Sequence, residues 1–217
     1  RGLGDVYKRQ YEIFTMIRLG VLGSTKGTDL QFIIDSINTK KLNAVISIVI
    51  SNKSNSYILK RAKNHNLPHV FIDHKGKSRE RFDSEITSAL KEHNVNLILL
   101  IGFMRILSSK FCNDWSGKIL NVHPSLLPKY AGGMDNNVHE EVLKNNEKET
   151  GCTIHLVTDE VDRGPIVIQK VCAVDPDDTI ESLKSKVQNL EGAAFLEAIP
   201  LFENCLLYTS PSPRDVS

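Results

Sequence analysis

Leu97–Ile101 reads Leu-Ile-Leu-Leu-Ile, apolar at every position. A strand wetted on one face alternates apolar and polar side chains, so this unbroken run fits a strand covered on both faces of a parallel sheet. Parallel neighbours need long crossovers, usually helical, and the chain supplies them. Ile17–Leu22 and Ala44–Ile50 are further strand-like runs, His69–Ile72 is a short one, and Ile119–Val122 follows. Between them, Leu30, Ile33, Ile34 and Ile37 recur at helical spacing, and Tyr57–Asn64 reads as a helix. Arg79–His93 carries Phe82, Ile86, Ala89 and Leu90 on one face, and Ser108–Trp115 is a shorter helix. This alternation predicts an open, mostly parallel twisted α/β sheet with flanking helices and right-handed crossovers. After Val122 the pattern changes. A polar loop, Ala131–Val138, leads to a helix near His139–Asn145, and two strands, Cys152–Val157 and Ile166–Val174, are close enough to pair antiparallel. A helix over most of Thr179–Leu201 completes the pattern.

Composition narrows the function classes. The chain has 217 residues, 41% of them hydrophobic, enough to bury a core. A formal charge of +1 gives no broad field for nucleic acid or an anionic membrane. No apolar run approaches the roughly 20 residues a spanning helix needs. Cys112, Cys152, Cys172 and Cys205 lack metal-type pairing and suit a reducing, cytoplasmic setting better than a disulfide framework.

The two ends read differently from the rest. The DNA string GATGTGTATAAGAGACAG encodes Asp5–Gln10, and its reverse complement, one base out of phase, encodes Cys205–Ser210. Residues 1–10 and 205–217 are therefore expected to be translated adapter, outside a single domain over residues 11–204. Setting them aside removes a net two positive charges and takes the formal charge from +1 to −1. Met16 is the expected natural start, and the natural C-terminus is expected beyond about Asn204.

Three segments can carry chemistry. Gly23–Asp29 is a Gly-containing strand-to-helix turn, where backbone N–H groups and a helix N-terminus can hold a phosphate. It matches neither G-x-G-x-x-G nor a P-loop, so an ordinary turn is equally compatible. Asn121 and His123 stand two apart at a strand's end and so share a face. Carboxyl ends of parallel strands are where such sheets place ligands. There Asn121 offers a neutral donor to a developing oxyanion, and His123 can carry charge and a proton near neutral pH. Pro124 and Pro128 stiffen the following loop. The third segment, Thr158–Pro165, has three carboxylates, Asp159, Glu160 and Asp162. It reads as a solvated hairpin tip unless one carboxylate reaches His123, orients it and raises its pKa. No set of side chains has metal-ligand spacing.

These residues carry a resemblance. Asn121-Val122-His123-Pro124-Ser125-Leu126-Leu127-Pro128, followed by Asp162-Arg163-Gly164-Pro165, resembles the folate-dependent formyltransferases, within them the branch acting on phosphoribosylglycinamide in purine synthesis. Lys26–Gln31, Val49–Lys53, Ser78–Glu80, Gly102–Leu107, Lys129-Tyr130 and Gly151–His155 match collinearly, over about Ile17–Phe202. The resemblance implies the formyltransferase fold, with a Rossmann-like N-terminal half. It implies transfer of a formyl group from 10-formyltetrahydrofolate, a co-substrate, to the amine of the ribonucleotide, with no metal. Asn121, His123 and Asp162 match the catalytic positions, with Asp162 keeping His123 protonated. Gly27, Thr28 and Asp29 match the phosphate turn, and Gln188 and Glu191 match ribonucleotide contacts. Arg79, Met104, Arg105, Ile106 and Leu107 match folate contacts, Asn121 being shared. The expected partners are small molecules, with monomer and homodimer both open.

The chain departs from the pattern in four places. Asp29 stands where Asn is usual, Arg163 where Gly is common, and Gly192 where His is frequent, and the loop Ala131–Val138 is longer than usual. Formyltetrahydrofolate deformylase and the methionyl-tRNA formyltransferase core share these motifs and stay as alternatives, as does a non-catalytic ligand-binding module. Whether the proton travels through His123 or a water is open at this level.

Overall fold

A computed structural model describes residues 16–133 and 136–202. Both end segments read as adapter lie outside the described residues, as do Cys205 and two positions of the polar loop, Met134 and Asp135.

The elements are β1 (Ile17–Leu22), α1 (Thr28–Asn38), β2 (Ala44–Ser51), α2 (Tyr57–Asn64), β3 (His69–Phe71), α3 (Arg79–Glu92), β4 (Leu97–Leu100), α4 (Ser109–Asp114) and β5 (Ile119–His123). Then come α5 (Asn136–Lys144), β6 (Glu149–Leu156), β7 (Ile166–Ala173), α6 (Ile180–Ala198) and a 3-10 turn, Ile199–Phe202. One seven-stranded sheet has the order β3-β2-β1-β4-β5-β6-β7. The first five strands are parallel, and β6 and β7 add antiparallel at one side.

The apolar run of β4 explains the layering. Leu97, Leu99 and Ile101 pack into a core with β1, α1, α2 and α6, whereas Ile98 and Leu100 pack into a second core with α3 and α4. Alternate residues of one strand thus face opposite helical layers, and both layers must be apolar. Each fully buried Leu or Ile contributes about 1.5–3 kcal/mol of transfer free energy. Short caps fix the helix starts that are not open to ligand. The Ser78 hydroxyl accepts from the Arg81 amide at 3.2 Å, the Ser108 hydroxyl accepts from Phe111 at 3.3 Å, and Thr179 and Ser182 form a capping box.

Two element starts differ from the sequence expectation by three residues. β6 begins at Glu149, three residues before Cys152, because Glu149–Gly151 pair with Val171–Ala173 of β7. The helix expected near His139 begins at Asn136, inside the expected loop. Val138 and Val142 lie one turn apart on α5 and pack on Leu183 of α6 in a small third cluster.

Close backbone approach sets the segment after β6. A Cβ on Gly164 would lie 1.8 Å from the carbonyl oxygen of Leu156. Gly164→Ala should therefore force the 158–165 connection away from β6 and cost about 1–3 kcal/mol. The check is a lower urea midpoint at unchanged m value; an unchanged midpoint would contradict the close packing.

Candidate active site

The strand order reverses between β1 and β4, and there a crevice opens at the carboxyl ends of the strands. Ser24, 3% exposed, staples three connections together. Its amide donates to the Gly102 carbonyl (3.0 Å), its hydroxyl donates to Asn52 Oδ1 (2.6 Å), and that hydroxyl accepts from the Met104 amide (3.1 Å). The turn after β1 and the loop after β4 thereby become two walls of one cavity of about 440 Å³, within the range of small-molecule sites.

At one end of the cavity lies the start of α1. Gly27 is left-handed (φ 64°) and makes no side-chain cap, so the first-turn N–H groups face the cavity unblocked. A Cβ at Gly27 would fall 2.4 Å from Ile58 of α2, so that position requires glycine by contact as well as by conformation. Thr28, Asp29, Gln188 and Glu191 line this end. Gly192 allows α6 to seat on α1, since a Cβ there would meet the Phe32 ring at 2.5 Å; the departure from His at that position has this packing consequence.

At the other end are Met104–Leu107 and Thr158–Val161. Met104, Ile106 and Val161 are exposed apolar side chains there, and Arg105 stacks over Phe82 at 5.0 Å. Asp83, on α3, anchors the end of that loop by accepting from the Ser108 amide at 2.6 Å. Arg79 is the one sequence-predicted site residue that stands apart. It is exposed at the start of α3 and does not line the cavity. Arg163 points outward, three-quarters exposed, so its departure from Gly does not obstruct the opening.

Between the two ends sit Asn121, His123 and Asp162. His123 is 3% exposed, with Nδ1 3.3 Å from Asp162 Oδ2 and Nε2 3.0 Å from the Tyr130 carbonyl oxygen. Both ring nitrogens thus face acceptors. Each acceptor comes from a left-handed residue, Tyr130 (φ 62°) and Asp162 (φ 55°), a conformation costing about 1–2 kcal/mol for a side-chain-bearing residue. Asp162 also accepts from the Gly132 amide at 2.9 Å.

The loop holding Tyr130 is pinned by polar contacts. Thr153 Oγ1 donates to the Ser125 carbonyl (2.7 Å) and accepts from the Leu127 amide (3.0 Å), and Ser125 Oγ donates to the Lys129 carbonyl (2.6 Å). The Tyr130 hydroxyl donates to Glu147 (3.0 Å).

Burial and pairing act on His123 in opposite directions. Burial is the largest influence and pushes the imidazole below its ordinary 6.5. Asp162 and the Tyr130 carbonyl pull it up, but by less, and His155 adds a smaller downward push. Asp162 therefore orients His123 and favours its cation, against a burial that disfavours it. Burial raises the Asp162 carboxyl, but His155, the Gly132 amide and His123 more than reverse this and hold it below its usual value.

His155 was given no role in the sequence reading. It is 2% exposed on β6, directly opposite Asn121 in the register, and its Nε2 lies 3.1 Å from Asn121 Nδ2 and 3.5 Å from Asp162 Oδ1. Its Nδ1 is 2.9 Å from the Leu156 carbonyl oxygen, so the ring is held at both nitrogens. The contact holds the Asn121 amide at the cavity wall. The signal lay in the strand alternation that puts Thr153 and His155 on one face. Cys152 points the other way and is fully buried, as expected of a core cysteine. Among the described residues no cluster of three His, Cys, Asp or Glu could hold a metal, and no helix is long and apolar enough to cross a membrane.

Comparison with known proteins shows the family. Residues 17–199 match the formyl transferase profile. Phosphoribosylglycinamide formyltransferase of Haemophilus influenzae is 41% identical over 177 residues, 81% of this chain and 82% of the relative. Glycinamide ribonucleotide transformylase 1 of Symbiobacterium toebii superposes with a TM-score of 0.83 at 35% identity, covering 88% of this chain and 89% of that one. The trifunctional purine biosynthetic protein adenosine-3 of Drosophila melanogaster is 41% identical over 197 residues, and the match spans 89% of this chain but 14% of that protein's length. The chain belongs to the formyl transferase family.

Proposed function

We propose that the chain transfers the formyl group of 10-formyltetrahydrofolate to the amine of 5-phosphoribosylglycinamide. The observation that carries this reading is one cavity joining an open helix N-terminus to Asn121, His123 and Asp162, and these to an apolar opening. The phosphate sits on the Gly27–Asp29 turn, with Gln188 and Glu191 along the ribonucleotide. The pterin lies against Met104–Leu107 beneath Thr158–Asp162. Arg79, outside the cavity, is left to the anionic tail of the folate.

In the reaction the amine nitrogen attacks the formyl carbon, the carbonyl becomes a tetrahedral oxyanion, and the bond from that carbon to N10 then breaks. An amide N–H of Asn121 donates to the oxyanion. His123, neutral at rest, exchanges its Tyr130 contact for the substrate, takes the proton the amine sheds and passes it to the departing nitrogen. Asp162 stabilises the imidazolium while it exists. The relatives' names and the Lys129-Tyr130 and Gly27–Asp29 matches favour the ribonucleotide over a water or a tRNA as acceptor.

His123→Ala should lower kcat by about 100–1,000-fold with both substrates saturating, and should leave the urea midpoint close to that of the parent. Near-parental turnover would refute the role. Asp162→Asn removes the group pulling His123 upward, so the imidazole should titrate at still lower pH than in the parent. NMR titration of the His123 ring checks this; an unchanged or raised midpoint would contradict the pairing.

A further inference from the structure

We infer that Asp29 serves the anion turn as a neutral acid that donates its O–H to the substrate phosphate, so that its ionisation sets the pH above which the ribonucleotide is held weakly. The inference rests on the proposed function and deepens it.

Asp29 occupies the second position of α1, two residues after the left-handed Gly27, and lines the cavity. It is 5% exposed, and its Oδ1 has no hydrogen-bond partner among the described residues. An ionised carboxylate in that place is deprived of water without compensation, and it faces the same space as an incoming phosphate dianion. A carboxylic acid there keeps one oxygen as acceptor and aims a donor at the anion, adding to the backbone N–H groups of the turn.

The groups facing Asp29 do not reverse this. From α6, Glu191 and Lys184 line the same cavity, Glu191 adding negative charge and Lys184 positive. From β6 comes Cys152, whose thiol is pushed up by burial first and then by Glu191 and Asp29, so it stays uncharged. From α2 the turn meets apolar Ile58, and Arg61 of that helix is engaged with Gln31 at 2.5 Å. On its own turn Lys26 is exposed. Consistent with this setting, burial pushes the Asp29 carboxyl up to about 7.

The sign follows from linkage. Below that pH the acid is already protonated and binding proceeds without proton uptake. Above it, each phosphate bound must bring a proton to Asp29, and affinity falls by about tenfold per pH unit until the bound-state value is passed.

The test measures KM for phosphoribosylglycinamide, at saturating 10-formyltetrahydrofolate, from pH 6 to 9 for the parent and for Asp29→Asn. Inorganic phosphate binding to both proteins is followed by calorimetry over the same range. Asn supplies a donor without a charge, and the substrate's own titrations cancel in the ratio of the two proteins. The ratio of parent to variant KM should rise at least about tenfold across the range, in KM rather than kcat, and the phosphate affinities should diverge in the same sense. The ratio of parent KM to that of Asp29→Ser, a second neutral donor, should rise with pH in the same way. A ratio flat with pH, or a pH effect confined to kcat, overturns the inference. Absence of product from every protein overturns the proposed function instead, and the phosphate titration then decides the role of Asp29 alone.

Discussion

The site depends on the pairing of β5 with an antiparallel β6. The parallel sheet delivers Asn121 and His123 to the end of β5, as the strand ends of any such sheet deliver side chains to a crevice. What makes them a site is the register opposite, with His155 against Asn121 and Thr153 against His123. Opposed side chains in an antiparallel pair are about 4.5–5.5 Å apart at Cβ, so Thr153 can pin the loop after His123 while His155 fixes the amide of Asn121. A slip of one residue would turn both β6 side chains into the core and put Cys152 and Ile154 in their place. The same strand, turning back through Gly164, returns Asp162 to the imidazole.

The electrostatics of the site follow from burial more than from pairing. His123 has a carboxylate at 3.3 Å and a carbonyl at 3.0 Å, yet burial still leaves the neutral ring favoured. Those acceptors matter when a proton arrives, because they are already placed and need no reorganisation. A base that is neutral at rest and has its cation's partners in place fits a reaction in which an amine loses a proton on one side and a folate nitrogen gains one on the other.

Much of the fold was legible because it rests on local patterns. The unbroken β4 run required two helical layers, and Leu97, Leu99 and Ile101 do face one layer while Ile98 and Leu100 face the other. The starts of α5 and β6 were misplaced because tertiary partners decide them: Val138 is helical through its contact with Leu183, and Glu149 is strand through its pairing with Ala173. In the site, Asn121, His123 and Asp162 converge as the motifs implied. Alternation puts His155 on the face of Thr153, but only the register names Asn121 as its neighbour. Spacing reveals the partner carboxylate of His123 but not the depth of burial that opposes it.

The central claim is that the cavity passes a carbonyl carbon from one nitrogen to another and does not merely bind folate or hydrolyse it. The fate of an isotopically labelled formyl group, followed when the protein meets 10-formyltetrahydrofolate and phosphoribosylglycinamide together, tests this most directly. The account predicts that the label appears on the ribonucleotide's amine in step with the tetrahydrofolate formed, with little free formate. Label released as formate at the same rate with or without the ribonucleotide would contradict it.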